Sequence, residues 1–386
     1  MDEPAVVTPP HLGRPLRLTP FRGLTLAPRW IGGPATARTF ARPYREVARR
    51  LTRWERAGRV SADVEPAVYL HEYTVGDTTV RGLVGALDLT HRSEDPGQRA
   101  VLPHEGVHLG QVQDLAERML EMQLNPAPIL LVHRGPAEVR GLVTEVAGRP
   151  PTRAFLDAAG TRHRLWAIRE AGELTRLAAG LADATPVIAD GHHRYAAYLR
   201  LQDAHPGSPW DRGLTMLVDQ DDTPLRLGAI HRVVPRMRMD ELAALAGRAP
   251  GGRWRELAGA AEGRALVTGR DGDVASVAVT DGGERWVAWD LPHPADAATV
   301  EVLHQSVMAD LPRRRRVRYE HSADDACTRA RETVGLALLL PTPSFDLVAA
   351  VVRADRLLPE KATSFQPKPA VGVLMRSLRD ESADPS

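Results

Sequence analysis

An α+β protein is what this sequence predicts, and three observations carry the prediction. The runs "PAVYLHEYTV" (66–75) and "VRGLVGALDL" (80–89) are rich in β-branched and apolar residues and are parted by Gly76-Asp77, the signature of two strands joined by a turn. Residues 110–123, "GQVQDLAERMLEMQ", place Val112, Leu115, Met119 and Met122 on one helical face. Beyond residue 236 the texture changes to Gly- and Asp-rich turns between alternating strands, the pattern of a small meander.

The elements follow in order. Residues 1–15 are Pro-rich and predict a loose tail. Apolar positions at helical spacing over 44–57 predict a helix that Gly58 stops. After the strand pair and the 110–123 helix, "PAPILLVHR" reads as a buried strand bounded by prolines. A helix over 174–182, the short strand "TPVIA" and the strands "LTMLVD" and "GAIHRVV" come next. A helix over 239–247 leads into the turns "GRDGD" and "TDGGE", and another helix spans 295–310. From 329 the chain reads helix, strand, helix, a lysine-bearing segment and a last strand, "AVGVLM".

Composition narrows the function. The chain has 386 residues, room for two or three cores, with 43% hydrophobic and 26% charged residues. A net charge of +1 argues against a bulk nucleic-acid binder or a protein held to acidic membranes. The one dense basic run, Arg313-Arg314-Arg315-Arg316, is expected to be a solvated helix end or loop. Cys327 is the single cysteine, so no intramolecular disulfide forms and nothing points to an oxidising compartment. The start, "MDEPAVVTPPHLGRP", lacks the pattern of a signal peptide, and the apolar stretch "VGLALLLPTPSFDLVAAVV" is broken by two prolines and Asp346. A cytoplasmic location without membrane attachment is expected.

Three motifs bear chemistry. In "VIADGHHRYAAYL" (187–199) the strand ends at Ala189, Gly191 permits a tight turn, and His192, His193 and Arg194 occupy the first turn of a helix. A helix N-terminus offers free N–H groups and a positive dipole end, which suit phosphate, and Arg194 adds a forked donor. Asp190 is placed to cap the helix or to hold a metal-bound water. The same residues also suit an ordinary capped helix with solvated histidines, and the two adjacent histidines diverge by about 100° on a helix, too far to share one metal. "HEGVH" (104–108) formally fits the zinc-protease pattern H-E-x-x-H, which needs both histidines on one helix face. Pro103 before it and Gly106 inside it disfavour that helix. The residues retained are His104 and Glu105, Glu105 being a base set just ahead of a helix.

The third motif is "PEKATSFQPKP". Of 50 cationic side chains 48 are arginine, and both lysines, Lys361 and Lys368, lie in this segment. Such placement suits a site that wants a compact ammonium rather than a planar fork, for instance to neutralise phosphate oxygens. A surface loop with two solvated amines is the plain alternative. His231-Arg232 in "GAIHRVV" ends a strand and is a weaker candidate for the same cavity. Neither a Walker A loop, nor a G-x-G-x-x-G after a strand, nor a G-x-S-x-G elbow occurs.

Taken together, "LPHEGVHLGQVQDLAERMLEMQLNPAPILLV", "TRHRLWAI", "VIADGHHRYAAYL", "GAIHRVV" and "LPEKATSFQPKPAVGVLM" resemble the DUF1015 family, over roughly residues 16–380. Two stretches depart from the family pattern. "ARPYREVA" lacks the acidic residue after tyrosine, and Lys361-Ala362-Thr363-Ser364-Phe365 lacks one hydroxyl. The resemblance implies a ParB/sulfiredoxin-like nucleotide-binding core, in which Gly191, His192, His193 and Arg194 match a phosphate-holding G-[EHC]-[HR]-R motif. Among that superfamily's sulfinic acid reductases, CTP-hydrolysing partition proteins and free serine kinases, the serine kinases are the nearest in pattern. A large insertion near 135–184 is implied between the strand and the cradle.

The expected organisation is a tail (1–15), a core (16–235), a small α+β region (236–335) and a C-terminal segment (336–386) that returns to the core. The expected function is nucleotide-dependent phosphoryl transfer to a small hydroxyl substrate, an amino acid if serine-kinase-like. ATP or ADP and Mg²⁺ would be the cofactors. Asp190, Gly191, His192, His193, Arg194 and Lys368 would hold phosphates, with Asp190 also on Mg²⁺. His104, Glu105 and Lys361 would act in catalysis. The rival readings are a nucleotide-responsive binding protein without transferase activity and a ParB-like DNA-acting protein. Near-neutral charge and no evident helix-turn-helix speak against the latter.

Overall fold

Gly76, at φ +55°, turns the Val68–Val75 strand back into Thr78–Asp88, and Val75 faces Thr78 across the hairpin. This pair is the middle of an eight-stranded sheet in a computed structural model of the chain, which describes residues 6–33, 36, 40, 44–247, 251–268, 275–292, 296–311 and 316–381. The chain divides into two units, Met1–Leu225 with Pro367–Ser386, and Arg226–Gln366.

In the first unit the sheet order is Arg153–Leu156, Arg162–Ile168, Val68–Val75, Thr78–Asp88, Arg212–Asp219, Ile129–His133, Val187–Asp190, with Leu18–Thr19 added beside Thr78–Asp88. All pairs are antiparallel except Arg212–Asp219 with Ile129–His133. Residues 135–184 thus supply the two strands at one edge of the sheet and the helices Ala137–Ala147 and Ala171–Leu181. One core joins the sheet's Leu70, Leu83, Ile129 and Leu131 to Val112 and Met119 of the helix Leu109–Met122 and to Leu199 and Leu201 of the helix His192–Ala204. The second unit is a six-stranded antiparallel sheet carrying the helices Ala260–Thr268 and Ala323–Thr333 over Val233, Ala278 and Leu339, with a separate ribbon of Arg226–Ala229 and Thr363–Gln366. The chain is a mixed α+β protein, as its sequence predicts.

The structure corrects two expectations. From Val6 on, the segment expected to be a loose tail is packed. Val6–Val7 pairs with Val107–His108, Leu12 is buried, and the Tyr195 hydroxyl donates to the Pro10 carbonyl (2.9 Å) while accepting the Leu12 N–H (3.2 Å). Prolines mislead here because they also suit an extended chain lying on a folded surface. The last strand is Met375–Ser377 rather than "AVGVLM", since Gly372 sits at φ +91° in a turn against Leu26, where a Cβ would come within 2.5 Å of the leucine side chain. Of the basic run, Arg313, Arg314 and Arg315 lie outside the described residues.

Arg376 anchors the returning C-terminal segment. It is 0% exposed, and its guanidinium donates to Glu381 Oε1 (2.7 Å), Asn125 Oδ1 (3.2 Å) and the Pro209 carbonyl (2.7 Å). Arg376→Met leaves those acceptors without their donor and should destabilise the protein by about 3–5 kcal/mol, the cost of breaking a buried pair. Urea unfolding reads this directly, and an unchanged midpoint would refute the anchoring role.

Candidate functional site

Two strand-to-helix turns lie side by side in the first unit. One runs from Leu102 into the helix Leu109–Met122, the other from Val187–Asp190 into His192–Ala204. They are joined in register: the Leu102 N–H donates to the Pro186 carbonyl (2.9 Å) and the Ile188 N–H to the Leu102 carbonyl (3.0 Å). Further along, the His104 N–H donates to His192 Nε2 (3.3 Å) and the His108 N–H to His193 Nε2 (3.1 Å). Both histidines of the second turn therefore clasp the backbone of the first. The rings of His104 and His192 meet edge to face at 4.5 Å, and those of His108 and His193 stack at 5.9 Å.

A nitrogen that accepts an N–H is unprotonated, so each clasp needs a neutral imidazole with its proton on Nδ1. Burial, with the neighbouring His104, pushes the His192 pKa down to about 3, which keeps it in that form. His192 thus brings no positive charge, and an anion at this turn would meet it through its backbone N–H group. Residues 104–108 are not helical, the strand Val107–His108 directly preceding the helix, so the zinc-protease geometry is absent. Among the described residues no group of three or more metal-ligating side chains assembles.

Gly191 stands at φ +94°, a conformation that side chains disfavour, and a Cβ there would lie 3.1 Å from the Arg194 guanidinium. A register shift between Ile188 and Asp190 bulges the strand just before it, the usual means of re-aiming a side chain beside a site. The bulge delivers Asp190 between two cations. Arg194 Nη2 reaches Asp190 Oδ2 at 2.6 Å and Lys368 Nζ reaches Oδ1 at 2.5 Å. Burial pushes the Asp190 carboxyl up, but Arg194 and Lys368 outweigh it and hold the pKa below the usual carboxylate range. Arg194 also donates through Nη1 to the Pro128 carbonyl (2.6 Å), so two of its five N–H donors are held by the protein. Glu105 lies one residue beyond the His104 clasp with its side chain 14% exposed.

The structure therefore gathers His104, Glu105, Asp190, Gly191, His192, His193, Arg194 and Lys368. Lys361 belongs to the second unit, at φ +57°, where buried Arg232 donates to the carbonyl of its neighbour Glu360 (3.0 Å). His231 lies there too, accepting the Leu340 N–H (3.1 Å). Sequence reasoning set Lys368 beside Asp190 and Arg194 but missed the direct Asp190–Lys368 ion pair, and it missed the Pro128 carbonyl. The pair spans 178 residues, beyond any local pattern.

The model of the family described as "Protein of unknown function (DUF1015)" matches residues 32–299, more than half of the chain. The chain belongs to the DUF1015 family. The matched span includes His104, Glu105 and the 190–194 cradle and ends before both lysines. No curated protein matches the chain. Among solved structures it is similar to a free serine kinase variant in complex with AMP, at 14% identity and TM-score 0.44, covering 78% of this chain and 93% of that one. It is also similar to SbnI with a C-terminal truncation from Staphylococcus aureus, at 12% identity and TM-score 0.45, covering 78% and 90%. No helix among the described residues is long and apolar enough to cross a membrane.

The clasp has a pH consequence. His192 titrates near 3 when folded but near its ordinary ~6.5 when unfolded. Between those values the unfolded chain binds more protons, so stability falls as pH falls from about 6.5 toward 3. His192→Gln keeps an acceptor for the His104 N–H and removes the titration. Denaturation midpoints from pH 7 to 4.5 should drop less steeply for this variant than for wild type. Parallel curves would reject the neutral clasp.

Proposed function

We propose that the turn at Gly191 binds nucleotide phosphates and that the protein is a nucleotide-dependent phosphotransferase acting on a small hydroxyl substrate. The observation that carries this reading is the meeting of a helix N-terminus, opened by a left-handed glycine, with an ammonium brought from the far end of the chain. The N–H groups of the first turn and the positive end of the helix dipole favour an anion there. Asp190, Arg194 and Lys368 together leave one positive charge in excess, which a phosphate can meet by drawing Lys368 across. The motif resemblance to ParB/sulfiredoxin-like nucleotide cradles supports the same assignment.

A bound nucleotide would supply the transferable phosphoryl group. The chain's own part is positioning and charge neutralisation, which dominate such chemistry. His192 and His193 fix the 104–108 segment against the cradle, and Glu105 on that segment accepts the proton of the substrate hydroxyl. The residues present do not fit a protein-held Mg²⁺, because both oxygens of Asp190 already face cations. Any Mg²⁺ would arrive with the phosphates. The catalytic part foreseen for Lys361 stays with the second unit and is not used in this reading.

Lys368 is the cleaner probe than Arg194, whose loss would also free Pro128 and Asp190. Lys368→Met should weaken binding of ATP or ADP by about 1.5–3 kcal/mol, the range for a charge-assisted hydrogen bond, read by calorimetry with Mg²⁺ present. If wild type binds neither nucleotide, the proposal fails. Glu105→Gln keeps the shape of the side chain and removes its basicity. In a ³¹P-NMR screen of serine and other small alcohols, turnover should fall about 10²–10⁴-fold at unchanged nucleotide affinity. Unaltered turnover would remove Glu105 from the mechanism.

A further inference from the structure

Lys368 sits between Pro367 and Pro369. Neither proline has an N–H, so a carbonyl is the backbone group each can offer for anchoring. The Pro367 carbonyl accepts a 2.7 Å hydrogen bond from the Tyr73 hydroxyl, 294 residues away in sequence. Tyr73 is 1% exposed on the strand Val68–Val75, and burial raises its pKa far enough that the hydroxyl stays a donor.

Behind Tyr73 runs a buried polar chain. The Tyr73 ring lies 5.1 Å from that of His71, His71 Nε2 is 3.0 Å from His163 Nδ1, and His163 Nε2 is 3.3 Å from Asp157 Oδ2. The other Asp157 oxygen accepts the N–H groups of Ala159 (2.9 Å) and Thr161 (2.8 Å). With Asp157 Oδ2 as the acceptor, the consistent proton arrangement has His163 donating from Nε2 and His71 donating from Nε2 to His163 Nδ1. Each ring is thereby fixed in one tautomer and one orientation. Tyr73 packs against this hydrogen-bonded chain with its ring buried.

We propose that Tyr73 is a positioning residue for Lys368, its hydroxyl holding the Pro367 carbonyl so that the ammonium stands at the phosphate cradle. This rests on the nucleotide reading above. Tyr73 acts through Lys368 and touches no reacting atom.

The test uses Tyr73→Phe, which removes one oxygen and keeps the ring, in the full-length protein beside Lys368→Met and the double variant. Affinities for ADP and ATP with Mg²⁺ are measured by calorimetry. Tyr73→Phe should weaken binding by about 3–10-fold, the worth of one net hydrogen bond, and should add nothing in the Lys368→Met background. In a double-mutant cycle a merely structural role for Tyr73 gives additive losses instead. Because the chain has only two lysines, ¹³C-lysine labelling offers a second readout. Tyr73→Phe should shift the Lys368 resonance, assigned by its loss in Lys368→Met, and leave that of Lys361 in place. Additive losses, undiminished affinity or an unmoved Lys368 resonance overturn the positioning role while leaving the nucleotide reading standing. Wild-type protein that binds neither ADP nor ATP overturns both.

Discussion

Asp190 holds two cations at once, and the geometry of the cradle depends on that arrangement. A carboxylate partly withdrawn from water is costly unless its charge is met, and here each oxygen has its own positive partner. One partner comes from the first turn of the helix that follows, which fixes the turn at Gly191. The other comes from residue 368, which ties the end of the chain to the strand end. Neutralising Asp190 would leave Arg194 and Lys368 facing each other without a counter-charge. Under the proposed nucleotide reading, a phosphate would compete with this carboxylate for the same ammonium.

The neutral histidines are the second constraint. A charged imidazole could not accept an N–H, so the clasps at His104 and His108 exist only while His192 and His193 keep a bare Nε2. Desolvation, elsewhere a penalty, here secures the function of the side chain by excluding the proton from His192. The consequence is geometric. Two strand-to-helix turns far apart in sequence become one surface, with Glu105 on one lip and the Gly191 turn on the other. A histidine pair at a glycine-opened turn can therefore serve an anion site without touching the anion, by setting the backbone that does.

Much of this was legible locally. The hairpin at Gly76-Asp77, the helix face of Val112, Met119 and Met122, and the turn at Gly191 all rest on residues within a few positions of one another, and each formed as read. Most contacts across long separations were not legible, the return of Lys368 to the Gly191 turn being the exception. Nothing near Tyr195 announces that its hydroxyl holds Pro10 and Leu12, so the N-terminal prolines read as a tail. Nothing near His192 announces that its ring faces the backbone of His104 rather than solvent. His71 and Tyr73 alternate with Leu70 and Glu72 along a strand, a pattern that marks a strand's two faces but does not say that one face carries a polar chain reaching Asp157.

The near-absence of lysine takes on a physical meaning at Asp190. Arg194 uses its planar fork to hold two acceptors, Asp190 and the Pro128 carbonyl, and a group held at two points resists displacement. Lys368 holds Asp190 by a single ammonium on a flexible stem and remains exposed to solvent. An ammonium with three equivalent donors can turn from one acceptor to another without re-planarising a fork, which a guanidinium cannot do. The two cations on one carboxylate therefore differ in how they are held: the arginine is fixed at two points, and the lysine is the one that the proposed reading has exchanging its partner for an incoming anion. An arginine at 368, as at 48 other positions, would bring a second planar fork to Asp190 in place of this compact ammonium.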